Sequence, residues 1–263
     1  MLQNGDFYGR IRSRNQQWWG EKRFEIATRL GRDLHIGALD LLAEFVQNAE
    51  DAGAERLALR VLYEGLLVWN DGRPFEDKDV ESIAGIFVTS KDASAIGYFG
   101  IGFKATLSVT DNPCILSGKH CFWLKQGLDP YPLTYDKAED APNVPSEAWE
   151  LFNRFYNSSG AIFWLPWRQR FNVDQFKNEL INQREKLGEF LLFMNKLRLL
   201  QVNGETWEVQ RERDSSEQDI VWITLTSPDS NTEHFLRIDW REIMAQEVVE
   251  EIASEMDEWS RNK

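Results

Sequence analysis

The stretch "GALDLLAEFVQNAEDAG", residues 37–53, decides how the chain is read. Leu41, Leu42, Phe45 and Val46 recur at helical spacing and glycine stands at both ends, which predicts an amphipathic helix. Glu44, Asn48 and Asp51 follow at i, i+4 and i+7, so at about 100° per residue they share one face. Alone, E-x-x-x-N-x-x-D is the solvated stripe that any such helix carries. Its meaning depends on what the rest of the chain brings beside it.

Two further stretches stand out. Residues 56–72, RLALRVLYEGLLVWNDG, read as two strands joined by a tight turn around Glu64-Gly65, the second delivering Asn70-Asp71-Gly72 at its end. Residues 96–105, IGYFGIGFKA, set Gly97, Gly100 and Gly102 among Tyr98, Phe99, Ile101 and Phe103 and end on Lys104. Glycine lets another group approach the main chain closely. Such a loop is either an anion cradle at a helix start, its apolar side chains packing beneath, or a tight turn with no ligand. It is neither G-x-G-x-x-G nor a phosphate loop ending in Gly-Lys-Ser/Thr. A carboxylate that can take a proton from water, an amide oxygen for a hard cation, a polar strand end and a glycine cradle are together the parts of a Mg-nucleotide hydrolase.

Composition narrows the class. The 263 residues are 42% hydrophobic, enough for a sizeable core. With 43 acidic against 30 basic residues the formal charge is -13, which repels nucleic acid and anionic membranes and argues against nucleic acid as a partner. Cys114 and Cys121 lie seven apart without a C-x-x-C pair and suit buried thiols in a reducing compartment. The first residues lack an apolar leader core and no run reaches the length of a membrane span, so a cytoplasmic protein is expected. His35, His120 and His234 are too scattered for a metal triad. The tryptophans, spread along the chain, read as core anchors.

The remaining pattern predicts helices over 20–31, 76–87 and 172–200, strands near 114–124, 160–167, 205–212, 219–226 and 233–239, and an acidic helix over 241–259. The polar loop 88–96 is a candidate lid. The basic arm from Gly9 to Asn15 reads as an exposed strand with solvated arginines.

The order E-x-x-x-N-A-x-D-A (Glu44 to Ala52), W-N-D-G-R-P-F (Trp69 to Phe75) and G-x-F-G-x-G-F-K (Gly97 to Lys104) resembles the GHKL-type ATP-binding fold shared by gyrase B, the heat-shock-90 chaperones, histidine kinases and MutL. Within it, V-Q-N-A-E-D-A-G-A and F-G-I-G-F-K-A, followed by S-V-T-D-N-P-x-I-x-S-G (Ser108 to Gly118), resemble the sacsin-type branch with its chaperone-like ATPase modules. The resemblance covers residues 20–170.

It implies an α/β (α+β) two-layer sandwich of the Bergerat type, a mixed, mostly antiparallel sheet with helices on one face and ATP between the helix 37–53 and the sheet. It implies a slow Mg-dependent ATPase whose closure drives a conformational cycle, chaperone-like or defence-related; the alternative is a module that holds ATP with little hydrolysis. Glu44 corresponds to the general base and Asn48 to the Mg²⁺ ligand, with Asp51 one turn further along as a nucleotide contact. Gly97, Phe99, Gly100, Ile101, Gly102 and Phe103 correspond to the phosphate loop. Lys104 is either an extra phosphate contact or a solvated lysine. Gly72 aligns with the glycine of the adenine motif, which puts Asn70, or alternatively Asp71, at the adenine-reading position, and Phe75 against the base or the core.

The chain departs from the family at Pro74, where a glycine is usual, and at Gly160-Ala161, where Gly-Thr is usual; Ser159 is the nearest replacement hydroxyl in sequence. Residues 1–170 are expected to form the nucleotide domain and 171–263 a helical and β extension or the start of a middle domain. A protein partner, a downstream effector domain or a second protomer is expected to complete the working unit.

Overall fold

The computed structural model describes residues 5–22, 24–25, 37–85, 102–134, 140–155, 160–217 and 219–239. Among them, helices pack on a mixed sheet of ten strands. The first half contributes helix α1 (Gly5–Trp19), helix α2 (Ala38–Asp51), the hairpin β1 (Arg56–Val61) and β2 (Gly65–Asn70), and a short helix α3 (Asp77–Ile83). A 3-10 helix, Gly102–Ser108, leads to β3 (Cys114–Ser117), β4 (His120–Lys125) and β5 (Asp129–Pro132). Helix α4 (Ser146–Phe155), β6 (Ala161–Pro166) and helix α5 (Val173–Asn182) follow. A second 3-10 helix, Arg184–Leu191, then leads to β7 (Leu199–Val202), β8 (Glu205–Arg213), β9 (Ile220–Thr226) and β10 (Thr232–Ile238).

The strand order is β10-β9-β8-β7-β1-β2-β6-β3-β4-β5. Its neighbours pair antiparallel except β1 and β7, which run parallel with Leu57 opposite Leu200. That parallel seam carries the sheet without a break from residues 56–166 into 199–238.

Alternation along each strand sorts side chains to two faces. Leu66 and Val68 of β2 and Phe163 and Leu165 of β6 join one core with α1, α2 and α5, in which Leu41 and Leu42 are wholly buried. Leu67, Leu116, Ile162 and Trp164 face the other way and are covered by Ala148, Trp149 and Phe152 of α4. The main layer of helices is thus on one side, and α4 alone among these helices lies on the other.

Several expectations need correction. The arm from Gly9 to Asn15 is helical, not an exposed strand: Tyr8, Ile11 and Asn15 are buried at i, i+3 and i+7. The arginines between them work locally, Arg12 stacking over the Tyr131 ring at 4.4 Å and donating to the Pro130 carbonyl. The Tyr8 hydroxyl meets His120 Nδ1 at 3.3 Å, and His120 Nε2 meets Asp77 at 3.1 Å, which fastens α1 to β4 and α3. The helical pattern of 172–200 breaks into α5, a 3-10 turn and the strand β7. The strand expected over 114–124 is a hairpin, turning at Gly118-Lys119. The candidate lid 88–96 and the acidic helix 241–259 lie outside the described residues, as does most of the helix expected over 20–31.

Candidate functional site

Helix α2 is fixed at both ends, and this sets where its polar stripe points. At its start the Leu39 amide donates to Glu179 of α5 at 3.4 Å, a carboxylate placed where the helix dipole favours it. At its end the Ala54 amide donates to the Ala49 carbonyl at 2.9 Å, which closes the last turn. Leu41, Leu42, Phe45, Val46 and Ala49 are buried in the core. Glu44, Asn48 and Asp51 are half-buried on the remaining face, as their spacing predicts.

The strand end delivered by β2 lies directly against the end of α2. The Arg73 amide donates to the Ala52 carbonyl at 2.8 Å, and a side chain on Gly72 would sit 2.7 Å from the Ala52 methyl. Only a residue without Cβ allows this approach. Asn70 is buried, and its side-chain oxygen accepts from the Gly72 amide at 3.1 Å. Asp71 turns the other way: its carboxylate accepts from the amides of Glu55 and Arg56, both at 2.8 Å, and so pins the start of β1. Of the two candidates for reading adenine, Asn70 is the one on the inner side of the turn.

Gly160 packs onto the same turn. Its amide donates to the Gly72 carbonyl at 2.6 Å, its φ is +103°, and a Cβ there would lie 2.5 Å from the Asn70 carbonyl oxygen. The buried Ser117 hydroxyl donates to the Gly160 carbonyl at 2.6 Å and accepts from the Phe75 amide at 2.9 Å. The hydroxyl beside Gly160 therefore comes from β3; Ser159 lies outside the described residues. Arg73 grips Asp79 through two bonds at 2.5 and 2.8 Å, and Asp79 also accepts from the Glu76 amide. Burial works to raise the Asp79 pKa; the Arg73 guanidinium and the Glu76 amide outweigh it and hold the carboxyl below its ordinary value.

The aromatic residues of three motifs meet on one ring. Phe45 of α2, Phe75 of the turn and Phe103 of the glycine stretch lie 5.4, 6.0 and 5.9 Å from Phe163 of β6. Phe75 thus packs on the core, the second of its two expected settings. Gly97, Phe99, Gly100 and Ile101 lie outside the described residues. Gly102 opens the 3-10 helix that packs against α2.

Lys104 corrects the solvated reading. It is 2% exposed, and its amine donates to the carbonyls of Ile83 at 2.7 Å and Gly127 at 2.8 Å. Burial pulls its pKa down to about 7. The side chain is a bracket between α3 and the β4–β5 turn.

Among the described residues no group of His, Cys, Asp and Glu forms a metal cage. The donors on α2 are one amide oxygen and two carboxylates, hard oxygen ligands that fit Mg²⁺ held chiefly by phosphates and water and would not make a protein-only site. A groove of about 440 Å³ borders the turn on its outer side and takes in Phe75, Asp77 and Lys119.

The sacsin domain family model matches residues 35–203, which spans every feature just described except α1 and the outer strands. The chain belongs to the sacsin domain family. It is also similar to human sacsin, 30% identical over 131 residues, a match covering 42% of this chain and 3% of that protein. The sacsin-family boundary at 203 falls after β7, so the matched region includes the parallel seam with β1.

Sequence reasoning missed two residues of this site and a third on the same helix. Ser117 falls in the Ser108 to Gly118 stretch but without a role of its own, Asp79 falls in no motif, and what both do depends on Gly160 and Arg73 meeting them in space. Glu50, between two site residues on α2, looked like one more acid in an acidic helix end. Among the described residues no helix is long and apolar enough to cross a membrane.

Proposed function

We propose that this sacsin-family chain is a GHKL-type module that binds ATP with Mg²⁺ and hydrolyses it slowly, and that it acts in a chaperone-like or defence-related conformational cycle. The observation that carries the reading is the contact between Ala52 and Gly72–Arg73. It joins the helix bearing Glu44, Asn48 and Asp51 to the turn bearing Asn70, while Phe103 seats the end of the glycine stretch on the same Phe163 ring. Residues far apart in sequence, each matching one part of a nucleotide site, are thereby neighbours.

In this reading Asn70 accepts from the adenine amino group, and Asn48 supplies a side-chain oxygen to Mg²⁺. Glu44 orients a water and takes its proton, and Asp51, one turn beyond Asn48, contacts the nucleotide. Mg²⁺ supplies charge neutralisation for the phosphates. Slow turnover follows if a partner protein, a downstream domain or a second protomer completes the site. A cytoplasmic setting accords with the thiols of Cys114 and Cys121, the first buried and both raised in pKa by burial.

The direct test is thermal. ATP with Mg²⁺ should raise the melting temperature of the full chain, since a ligand selective for the folded state stabilises it by mass action. Asn48→Ala should lose the Mg²⁺-dependent part of the rise. An identical rise with and without chelator in the wild type would remove Asn48 from the metal.

A further inference from the structure

We propose that Glu50 couples the nucleotide helix to the outer strands β7–β10, acting as a positioning residue that transmits a shift of α2 to the segment 191–197; this rests on the ATP reading above. Glu50 is 7% exposed and sits on α2 between Asn48 and Asp51, about 100° round the helix from Asp51 and so off the site face. Its carboxylate accepts from three successive amides, Asn195 at 2.9 Å, Lys196 at 3.1 and 3.0 Å, and Leu197 at 2.9 Å.

The same segment is gripped from the far side by two guanidiniums. Arg211 of β8 donates to the carbonyls of Leu191 and Leu197. Arg237 of β10 donates to the carbonyls of Leu192 and Met194 and to the Asn195 side chain. Amides of 195–197 thus face an anion from the nucleotide helix, and carbonyls of 191–197 face cations from the outer strands. Burial and then the nearby Arg237 charge pull Arg211 down to about 10, opposed by Glu50, so the charges form one coupled set. Charge-assisted bonds to backbone are short-range and directional. Helix α2 therefore cannot rotate or slide at its Asn48–Asp51 end without breaking them or taking 195–197, and with it the arginines of β8 and β10, along.

Hydrogen exchange of the full chain, with and without Mg-ATP, tests this beside the melting temperature. In the wild type, Mg-ATP should raise the melting temperature and change exchange at Asn195, Lys196 and Leu197 by at least about five-fold, the lower end of usual coupling. Glu50→Gln should keep the thermal response and lose the exchange response. If it does not fold, Glu50→Asp, which withdraws the carboxylate by one methylene, carries the same expectation. A thermal response with unchanged exchange at 195–197 in the wild type overturns the coupling and leaves the ATP reading standing. A full exchange response in the folded Glu50 variant overturns the role of Glu50. No thermal response at all removes the ATP reading and the coupling together.

Discussion

The amide of Arg73 donates to the carbonyl of Ala52 at 2.8 Å, so the turn that follows β2 is hung from the residue that caps the helix carrying Glu44 and Asn48. This bond exists because Gly72 has no side chain to hold the two segments apart. Gly72→Ala would bring a methyl to 2.7 Å from the Ala52 Cβ and 2.9 Å from its carbonyl oxygen. Overpacking of this kind costs about 1–3 kcal/mol. Urea melts should show that loss, and the Mg-ATP thermal response should shrink with it. A variant of wild-type stability would mean that the turn can move away from α2 freely.

Ser117 offers a second check on the turn. Its hydroxyl is the link between Phe75 and Gly160, and it is 1% exposed. Ser117→Ala leaves a part-buried amide and a buried carbonyl short of a partner, a loss of about 1–3 kcal/mol. Chemical denaturation of the two proteins measures it. A difference within error would show that water replaces the hydroxyl.

Much of this arrangement is legible in sequence, for identifiable reasons. Helix α2 and the hairpin β1–β2 declare themselves because their apolar residues follow one period over a full element and stop at glycine. Helix α1 is misread because Arg10, Arg12 and Arg14 alternate and mask Tyr8, Ile11 and Asn15, whose spacing is helical. Helix α4 escapes for the same kind of reason: Ala148, Trp149 and Phe152 follow a stretch with Pro142 and Pro145 that reads as connection. Strand β7 disappears into LRLLQV, residues 197–202, whose mixed spacing of apolar residues periodicity cannot separate from the end of a helix. Lys104 and Glu50 are illegible in principle. What they do is set by Ile83, Gly127 and residues 195–197, partners at a distance in the chain that no local pattern announces.

The buried Lys104 predicts a pH dependence. Its folded pKa is pulled down to about 7, below the ordinary lysine value of about 10.4 for the unfolded chain. Between those limits the unfolded chain binds more protons at this site, so its contribution to stability rises with pH through that window and levels off above it. Lys104→Met should flatten that rise and, by stripping the Ile83 and Gly127 carbonyls of their donor, lower stability by about 1–3 kcal/mol at the top of the window. Denaturant midpoints from pH 7 to 10 for both proteins decide the matter. Parallel pH curves would assign the slope to other groups.

The most direct test of the nucleotide reading is to titrate Mg-ATP calorimetrically into wild type and Glu44→Ala while measuring phosphate release from each. Loss of a general base typically slows a reaction about a hundred- to ten-thousand-fold, whereas removing a negative charge near phosphate should leave affinity within several-fold or improve it. The account predicts that both proteins bind, and that wild type releases phosphate, slowly, while Glu44→Ala does not. Equal release from both would contradict the assignment of Glu44, and the absence of binding heat in the wild type would contradict the nucleotide site itself.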